Sequence, residues 1–387
     1  MKICIINSLF YPDQRGGVEE QVQNIAKTLA KEHEVTVICT NTRRNNRGIP
    51  FITEKIGQIT VYRLNAYNLS TFNDLPKHGV FLRLLWHFID LFNWPQYQRI
   101  KNILVSINPD LVWAHNLMGT GILATHSYQK YHYWQTIHDV QLFDPSGTIY
   151  SSESNFFYSL IRAIYARLVK TLIAQPEQVI SPSQWLADFY LAKKYFTKST
   201  IRVLANPIDL PMTVNHRKNT EATRERQLLF LGQMERHKGI FFLLQELKEI
   251  KTEFKFHLTV VGSGSQVKSF KKQIQQESFC SYYPWPPTND QVYNYLSATD
   301  LLIFPSQCLE NCPLVLQWAL QLSTPILASR IGGVVELLEH DQNLFTVNDS
   351  RDFQNKLQAV LQGNDITIKK DFLSTPDYCQ LLLAGKS

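Results

Sequence analysis

The chain has 387 residues, 44% of them apolar and 19% charged. That length suits two domains better than one core, and the composition excludes a disordered, collagen-like or coiled-coil protein. Basic residues outnumber acidic ones by 39 to 33, but the net charge of +6 is scattered, so no nucleic-acid partner is expected.

The elements follow an alternating rhythm. Lys2–Asn7 reads as a buried strand, and turn residues run from Tyr11 to Gly17. Val18, Val22, Ile25, Ala26 and Leu29 then share one helical face, and Glu34–Thr40 reads as the next strand. Strand, loop, helix and strand within forty residues form a βαβ unit and predict a parallel sheet. The rhythm continues with a strand at Ile59–Leu64, helix through Val80–Val105, and a strand at Leu111–His115. A helix is predicted at Gly119–Lys130, a strand at Tyr133–His138 and a helix at Asn155–Ala174. A strand at Gln178–Ser181, a helix at Gln184–Tyr195 and a strand at Ile201–Ala205 complete a first domain, 1–205.

Residues 206–227 hold Pro207 and Pro211, many charges and no periodicity, and read as a linker. Alternation then restarts, with strands at Leu228–Leu231, Phe256–Val261, Asp300–Phe304 and Pro325–Ala328. Helices are predicted at Gly239–Glu249, Gln266–Glu277, Asp290–Ala298, Pro313–Leu322 and Asp352–Leu361. This makes a second domain, 228–365, followed by a C-terminal segment, 366–387. The expected class is α/β, with a ligand cleft at the carboxyl ends of strands.

Of the six cysteines only Cys308 and Cys312 are close, and no zinc ligand set accompanies them, so reduced thiols are expected. The opening residues reach turn and charged types too soon for a signal peptide, and no apolar run nears the ~20 residues of a membrane span. A cytoplasmic protein, soluble or peripheral, is the expectation.

Several loops between strand and helix could carry chemistry. Gly16 and Gly17 would let backbone amides approach an anion at a helix start, or would simply permit a tight turn. Gly262, in Gly262-Ser263-Gly264, has the same two readings. Lys238 stands where a helix opens, a position its charge does not favour unless it meets an anion. Pro313 suits a first helical position, which would leave the amides of Leu314 and Val315 open to an anion. Glu310 just before it either stabilises the helix or accepts sugar hydroxyls. His138 and Asp139 end one strand, and His115 and Asn116 end the strand before it. A lone histidine there is either structural or catalytic. No Asp-x-Asp occurs, so no metal site is expected, and no cofactor.

Ten segments in order then carry a resemblance: GGVEEQVQNIAKTLAKEHEVTVIC, PDLVWAHN, TIHD, VISPSQW, VLANPID, FLGQMERHKG, VVGSG, LLIFPSQCLENCPLVL, TPILAS and IGGVVE. Together they resemble the retaining family 4 glycosyltransferases, which use nucleotide-sugar donors. The resemblance implies the GT-B architecture: two facing Rossmann-like domains, the acceptor mostly on the first and the donor mostly on the second. It implies that Gly16, Gly17 and Lys238 meet the donor diphosphate, with Gln233 and Gly262 in the same donor region. It further implies that the Leu314 and Val315 amides meet the diphosphate, that Glu310 grips sugar hydroxyls, that His138 lies beside the donor sugar, and that Glu336 ends a donor-side loop. His115, Asn116 and Asp139 fall on the acceptor side.

The chain departs from the family pattern at four places. Gln233 stands where an Arg or similar residue is usual. Trp318 replaces the second Glu of E-x7-E, which normally binds ribose. Ser323 and Leu344 replace glycines. An indole accepts no hydrogen bond from a ribose hydroxyl, so a carboxylate at 318 is expected to tighten nucleoside diphosphate binding by about 1–2 kcal/mol. Two readings follow. One is an active, metal-independent retaining glycosyltransferase acting on a glycan, lipid-linked or small-molecule hydroxyl. The other is a catalytically silent GT-B binding or partner protein with a degenerate donor site. The retained Gly16, Gly17, His138, Lys238, Glu310 and Glu336 favour the first. Aromatic-basic stretches at 81–89 and 155–167 read either as helices packed on the sheet or as a surface for peripheral contact with the cytoplasmic face of a membrane.

Overall fold

The computed structural model describes residues 1–14, 16–42, 49–150, 156–209, 225–286 and 288–384. The chain divides into two compact units: Met1–Thr148, Ser154–Pro207 and Leu373–Ser387 form the first, Ile149–Glu153 and Ile208–Phe372 the second. Most of the sequence-read linker, residues 210–224, lies outside the described residues.

The first unit is an eight-stranded sheet. Its strands are β1 (Lys2–Ile6), β2 (Glu34–Thr40), β3 (Phe51–Ile56), β4 (Ile59–Leu64), β5 (Leu111–Ala114), β6 (His132–Thr136), β7 (Gln178–Ser181) and β8 (Thr200–Val203). They lie in the order β3-β4-β2-β1-β5-β6-β7-β8. Every pairing is parallel except β3 with β4. The central strands are short, nearly continuous apolar runs, because helices cover both faces of a parallel sheet. On one face Ile3, Ile5, Val37 and Trp113 pack against Val22 and Ile25 of the helix Gly17–Leu29.

The sequence missed β3. It is an edge strand, largely half-buried, that turns back through Gly57 at φ 60°. The single helix expected over Val80–Val105 is two, Val80–Leu91 and Trp94–Ile107, because the Asn93 side chain caps the second by accepting from the Gln96 amide at 3.1 Å. Little of the helix expected at Gly119–Lys130 forms beyond one turn, Thr125–Tyr128, preceded by Gly119 and Gly121 at positive φ.

The second unit is a six-stranded, wholly parallel sheet: β9 (Arg226–Leu231), β10 (Phe256–Val261), β11 (Cys280–Tyr283), β12 (Leu301–Phe304), β13 (Ile326–Ser329) and β14 (Leu344–Phe345). Its order is β11-β10-β9-β12-β13-β14. The four-residue β11 and two-residue β14 are too short to show a period in the sequence. The helix Thr375–Leu383, also unread, returns to the first unit, where Tyr378, Cys379 and Leu382 join the core around Val22 and Leu29.

In both sheets the order reverses beside a central strand, between β1 and β5 and between β9 and β12. In sheets of this order the loops leaving those strand ends run to opposite faces, and that reversal is the usual ligand position. They hold Asn7, His115 and Asn116 in the first unit, and Lys238 and Glu310 in the second.

Two departures have a local structural meaning. Ser323 keeps the left-handed backbone a glycine would supply, with φ 54°, so the turn survives with a side chain in it. Leu344 is extended at φ −124° and 1% exposed, so that position needs no glycine at all.

Candidate functional site in each unit

In the first unit, strands β5 and β6 deliver His115 and His138 to adjacent positions. Nδ1 of His115 lies 3.0 Å from Nε2 of His138, and the rings stack at 5.3 Å with 19° between planes. Trp113 stacks on His115 as well, at 5.3 Å and 26°. Burial holds the His138 imidazole down at about 3 and that of His115 well below its usual value, where a charged His138 would depress it further. Both rings are therefore neutral at physiological pH and share one proton along their contact. Nε2 of His115 is buried and has no hydrogen-bond partner among the described residues. A buried lone pair is less costly to leave alone than a buried N–H. This favours His115 Nδ1–H as donor to His138 Nε2, with the His138 proton on Nδ1.

The neighbouring residues are tied in place. The Asn116 amide donates to Asn7 Oδ1 at 3.0 Å, and Gln135 Nε2 donates to the His115 carbonyl at 2.6 Å. Asp139 accepts the Gln141 amide at 2.7 Å. Burial, with the Glu19 charge adding to it, raises the Asp139 carboxyl to about 6 against the pull of that hydrogen bond. Glu19, 4% exposed, also accepts the Gly16 amide at 2.9 Å. At Gly16 the helix start thus carries a carboxylate of its own, and that amide is already engaged.

In the second unit, Lys238 Nζ donates to Glu310 Oε1 at 2.6 Å, with side chains only 20% and 13% exposed. Ser306 Oγ donates to the same oxygen at 2.6 Å and Cys308 Sγ at 3.7 Å. Burial works against the lysine charge, but the Glu310 carboxylate outweighs it and raises the Lys238 pKa. Burial pushes the Cys308 thiol up to about 12, so it is a donor and not a thiolate. Sequence reasoning found Lys238 and Glu310 but gave them separate roles; the fold joins them. It overlooked Ser306 and Cys308, although residues 306, 308 and 310 alternate along one extended segment and so could reach one side.

Backbone crowding fixes this pair. Gly239, at φ 74°, lies so close to Pro305 that a Cβ would stand 1.8 Å from its carbonyl oxygen. Gly332, at φ 55°, would put a Cβ 2.1 Å from the Glu310 carbonyl oxygen, and the Gly333 amide donates to that oxygen at 2.9 Å. The IGGVVE segment is thereby clamped to Glu310, and Glu336 follows in the first turn of Val334–Leu338.

Pro313 is the N-cap of the helix Leu314–Gln321, so the helix begins one residue later than the sequence suggested. Leu314 and Val315 are its first two residues, and among the described residues their amides have no protein acceptor. Trp318 is 4% exposed and meets Tyr293 edge-on at 5.8 Å. Gly262 is engaged otherwise than expected: its amide donates to the Tyr283 carbonyl at 3.1 Å, and a Cβ there would meet the Gly232 carbonyl at 2.0 Å. In the same loop Glu235 accepts both the amide and the hydroxyl of Ser265, at 2.7 and 2.6 Å. Gln233 is exposed on the loop after β9. Among the described residues no group of three or more His, Cys, Asp or Glu is placed to hold a metal ion.

Two family models divide the chain between them. Glycosyltransferase Family 4 matches residues 15–211, and Glycosyl transferases group 1 matches residues 212–371. The chain belongs to the family 4, group 1 glycosyltransferases. Among similar proteins, a putative teichuronic acid biosynthesis glycosyltransferase of Bacillus subtilis, TuaC, is 32% identical over 89% of this chain and 85% of its own length. An uncharacterized 42.6 kDa protein in the cps region of Klebsiella pneumoniae is 25% identical over 92% of each chain. Among solved structures, Anabaena HepE in complex with UDP and glucose superposes with a TM-score of 0.64 at 16% identity, covering all of this chain and 95% of that one. The fold of this glycosyltransferase is GT-B, with one Rossmann-like sheet in each unit.

Proposed function

We propose that this glycosyltransferase moves a sugar from a nucleoside diphosphate donor to an acceptor hydroxyl with retention of the anomeric configuration and without a metal ion. The observation that carries the reading is the Lys238–Glu310 pair, half-buried at the switch point of the second sheet and adjoining the open amides of Leu314 and Val315. A diphosphate leaving group needs positive charge and oriented N–H donors. Lys238 supplies the first, and Leu314 and Val315 the second. On binding, Lys238 exchanges its carboxylate partner for phosphate oxygens, and Glu310 turns to the sugar hydroxyls while Ser306 and Cys308 continue to donate to it.

The anomeric carbon–oxygen bond then breaks, and its electron pair stays on the diphosphate. The acceptor oxygen attacks from the face just vacated, and its proton passes to the departing phosphate. No side chain is needed as a covalent nucleophile. His138 is assigned to the donor sugar through the resemblance, as a neutral hydrogen-bond donor. That HepE was solved with UDP and glucose supports a UDP-type donor, and the names of the B. subtilis and K. pneumoniae relatives support a cell-envelope polysaccharide, as glycan or lipid-linked precursor, for the acceptor.

A donor panel tests the reading. Sugar-dependent release of nucleoside diphosphate, undiminished by chelator, is the expected outcome, with the product anomer assigned by NMR. Inversion, or a strict metal requirement, overturns the stated mechanism. Trp318 favours the second reading, a silent GT-B protein, because an aromatic stands packed where the family places a ribose-binding carboxylate. Absence of nucleoside diphosphate binding in calorimetry would select it.

A further inference from the structure

A short piece of the second unit comes from early in the chain. Ile149 and Tyr150 fall between β6 and the helix Phe156–Leu172 in sequence, yet belong to the second unit. They pair with the segment that carries Glu310. Tyr150 forms an antiparallel bridge with Cys308, and the Leu309 amide donates to the Ile149 carbonyl at 2.8 Å. Residues directly opposite in such a bridge project their side chains to one face, with Cβ atoms about 4.5–5.5 Å apart. Tyr150 therefore shares the face of Cys308. That is the face from which the Cys308 thiol and the Ser306 hydroxyl reach Glu310 Oε1.

The Tyr150 ring also touches the lysine side of the ion pair. It meets the His237 ring at 6.3 Å with 86° between planes, and His237 immediately precedes Lys238. The His237 carbonyl accepts the Gln307 amide at 2.8 Å, which ties this loop to the same segment. Burial, with the Lys238 charge adding to it, lowers the His237 pKa, so a neutral ring stands beside the ammonium. Two features point to a ligand. Lys238, Ser306 and Cys308 all donate to Oε1 of Glu310, and Oε2 has no donor among the described residues. An enclosed carboxylate oxygen of this kind accepts hydroxyl groups. Tyr150 is 40% exposed, so its ring is not consumed by packing. A pyranose has hydroxyls for the one and a C–H face for the other.

We propose that Tyr150 is a specificity-determining residue of the donor site, its ring meeting the C–H face of the pyranose whose hydroxyls Glu310 accepts. The assignment rests on the donor reading given above and adds to it the side chain that selects the sugar.

Calorimetry on the full chain tests it, with UDP, UDP-glucose and UDP-galactose, and with GDP, GDP-glucose and GDP-mannose. The parent should prefer one sugar over its epimer on the same nucleotide. Tyr150→Ala should bind the free nucleoside diphosphate within twofold of the parent. It should bind the preferred nucleotide-sugar at least fivefold more weakly and lose most of the preference between epimers. Tyr150→Phe keeps the ring and should bind as the parent does. An unchanged melting temperature verifies that each variant is folded. Failure takes distinguishable forms. A parent that binds none of these compounds overturns the donor reading and this assignment with it. A parent that binds them without distinguishing the sugars overturns the assignment alone, as does a Tyr150→Ala variant that keeps the parent's preference. An equal loss of nucleotide and nucleotide-sugar also overturns it, because Tyr150 would then only support the ion pair.

Discussion

The two units place polar groups at equivalent points of their sheets and treat charge in opposite ways. In the first unit, burial strips the charge from two stacked histidines and leaves them as a neutral hydrogen-bonding pair. In the second, a lysine and a glutamate, half-buried, pair at 2.6 Å, and the carboxylate raises the lysine pKa against the pull of desolvation. An isolated imidazole can escape burial by losing its proton, whereas a paired lysine cannot do so without stranding its carboxylate. The first arrangement suits a donor or acceptor of hydrogen bonds, and the second suits a group that exchanges one anion for another.

The comparison can be broken first at its backbone. Gly239→Ala places a Cβ against Pro305 in a left-handed turn, and should destabilise the second unit by about 3–5 kcal/mol, read by thermal denaturation. Should the melting point hold, backbone crowding is not what fixes Lys238. Next comes the charge itself. Lys238→Ala should weaken nucleoside diphosphate binding by about 2–4 kcal/mol in calorimetry, as for loss of a charge-assisted contact in an enclosed site. An affinity equal to the parent's would remove the lysine from the proposed donor site. For the neutral pair, His138→Ala should lower turnover by about 10²–10³ with the fold retained. A variant that melts early yet keeps its specific activity would make His138 structural.

Acid sharpens the contrast. His138 and His87 are held at about 3 and about 4 in the fold and near 6.5 when unfolded, so below pH 6.5 the unfolded chain binds more protons. Stability from these groups is intact above pH 6.5 and is lost as pH falls toward 4, at up to about 1.4 kcal/mol per pH unit for each imidazole. Asp90 and Asp139, raised to about 7 and about 6, work the other way: they oppose folding as pH rises from about 4 to 7. The histidine share is therefore the difference between the parent and His87→Gln or His138→Gln in pH-dependent denaturation, and a slope unchanged by both substitutions would contradict the burial argument. The smallest effect is a proton position. Long-range nitrogen NMR should find His138 protonated on Nδ1, with His115→Asn preserving that tautomer and His115→Phe losing it.

Trp318 illustrates why a family pattern is not a structure. The sequence shows a missing carboxylate and suggests restoring it. The fold shows an indole 4% exposed beside Tyr293, so Trp318→Glu would also bury a charge and open a cavity, and should lower stability before it improves any affinity. The expected gain of about 1–2 kcal/mol in binding is thus testable only in a variant shown to fold. Most of the architecture was legible because buried parallel strands such as KICII and LVWA are unbroken apolar runs between turn residues. The edge strand Phe51–Ile56 and the two-residue Leu344–Phe345 were not, since one faces solvent and the other is shorter than any period. Within the site, single residues at strand ends were visible, but their pairings were not. Nothing local in the sequence says that His115 will stack on His138 across two strands, that Glu19 will occupy the Gly16 amide, or that Lys238 will reach Glu310 across 72 positions.

The helix Thr375–Leu383, which follows the whole second unit in the chain, completes the apolar packing around Gly17–Leu29. During synthesis, Val22, Ile25 and Leu29 can pack on their own sheet early, but the cover that Tyr378, Cys379 and Leu382 give this core comes only after the second sheet is made. The first unit reaches its final stability late, and the second has every residue of its own sheet available before then. The first unit is thus the first begun and the last completed.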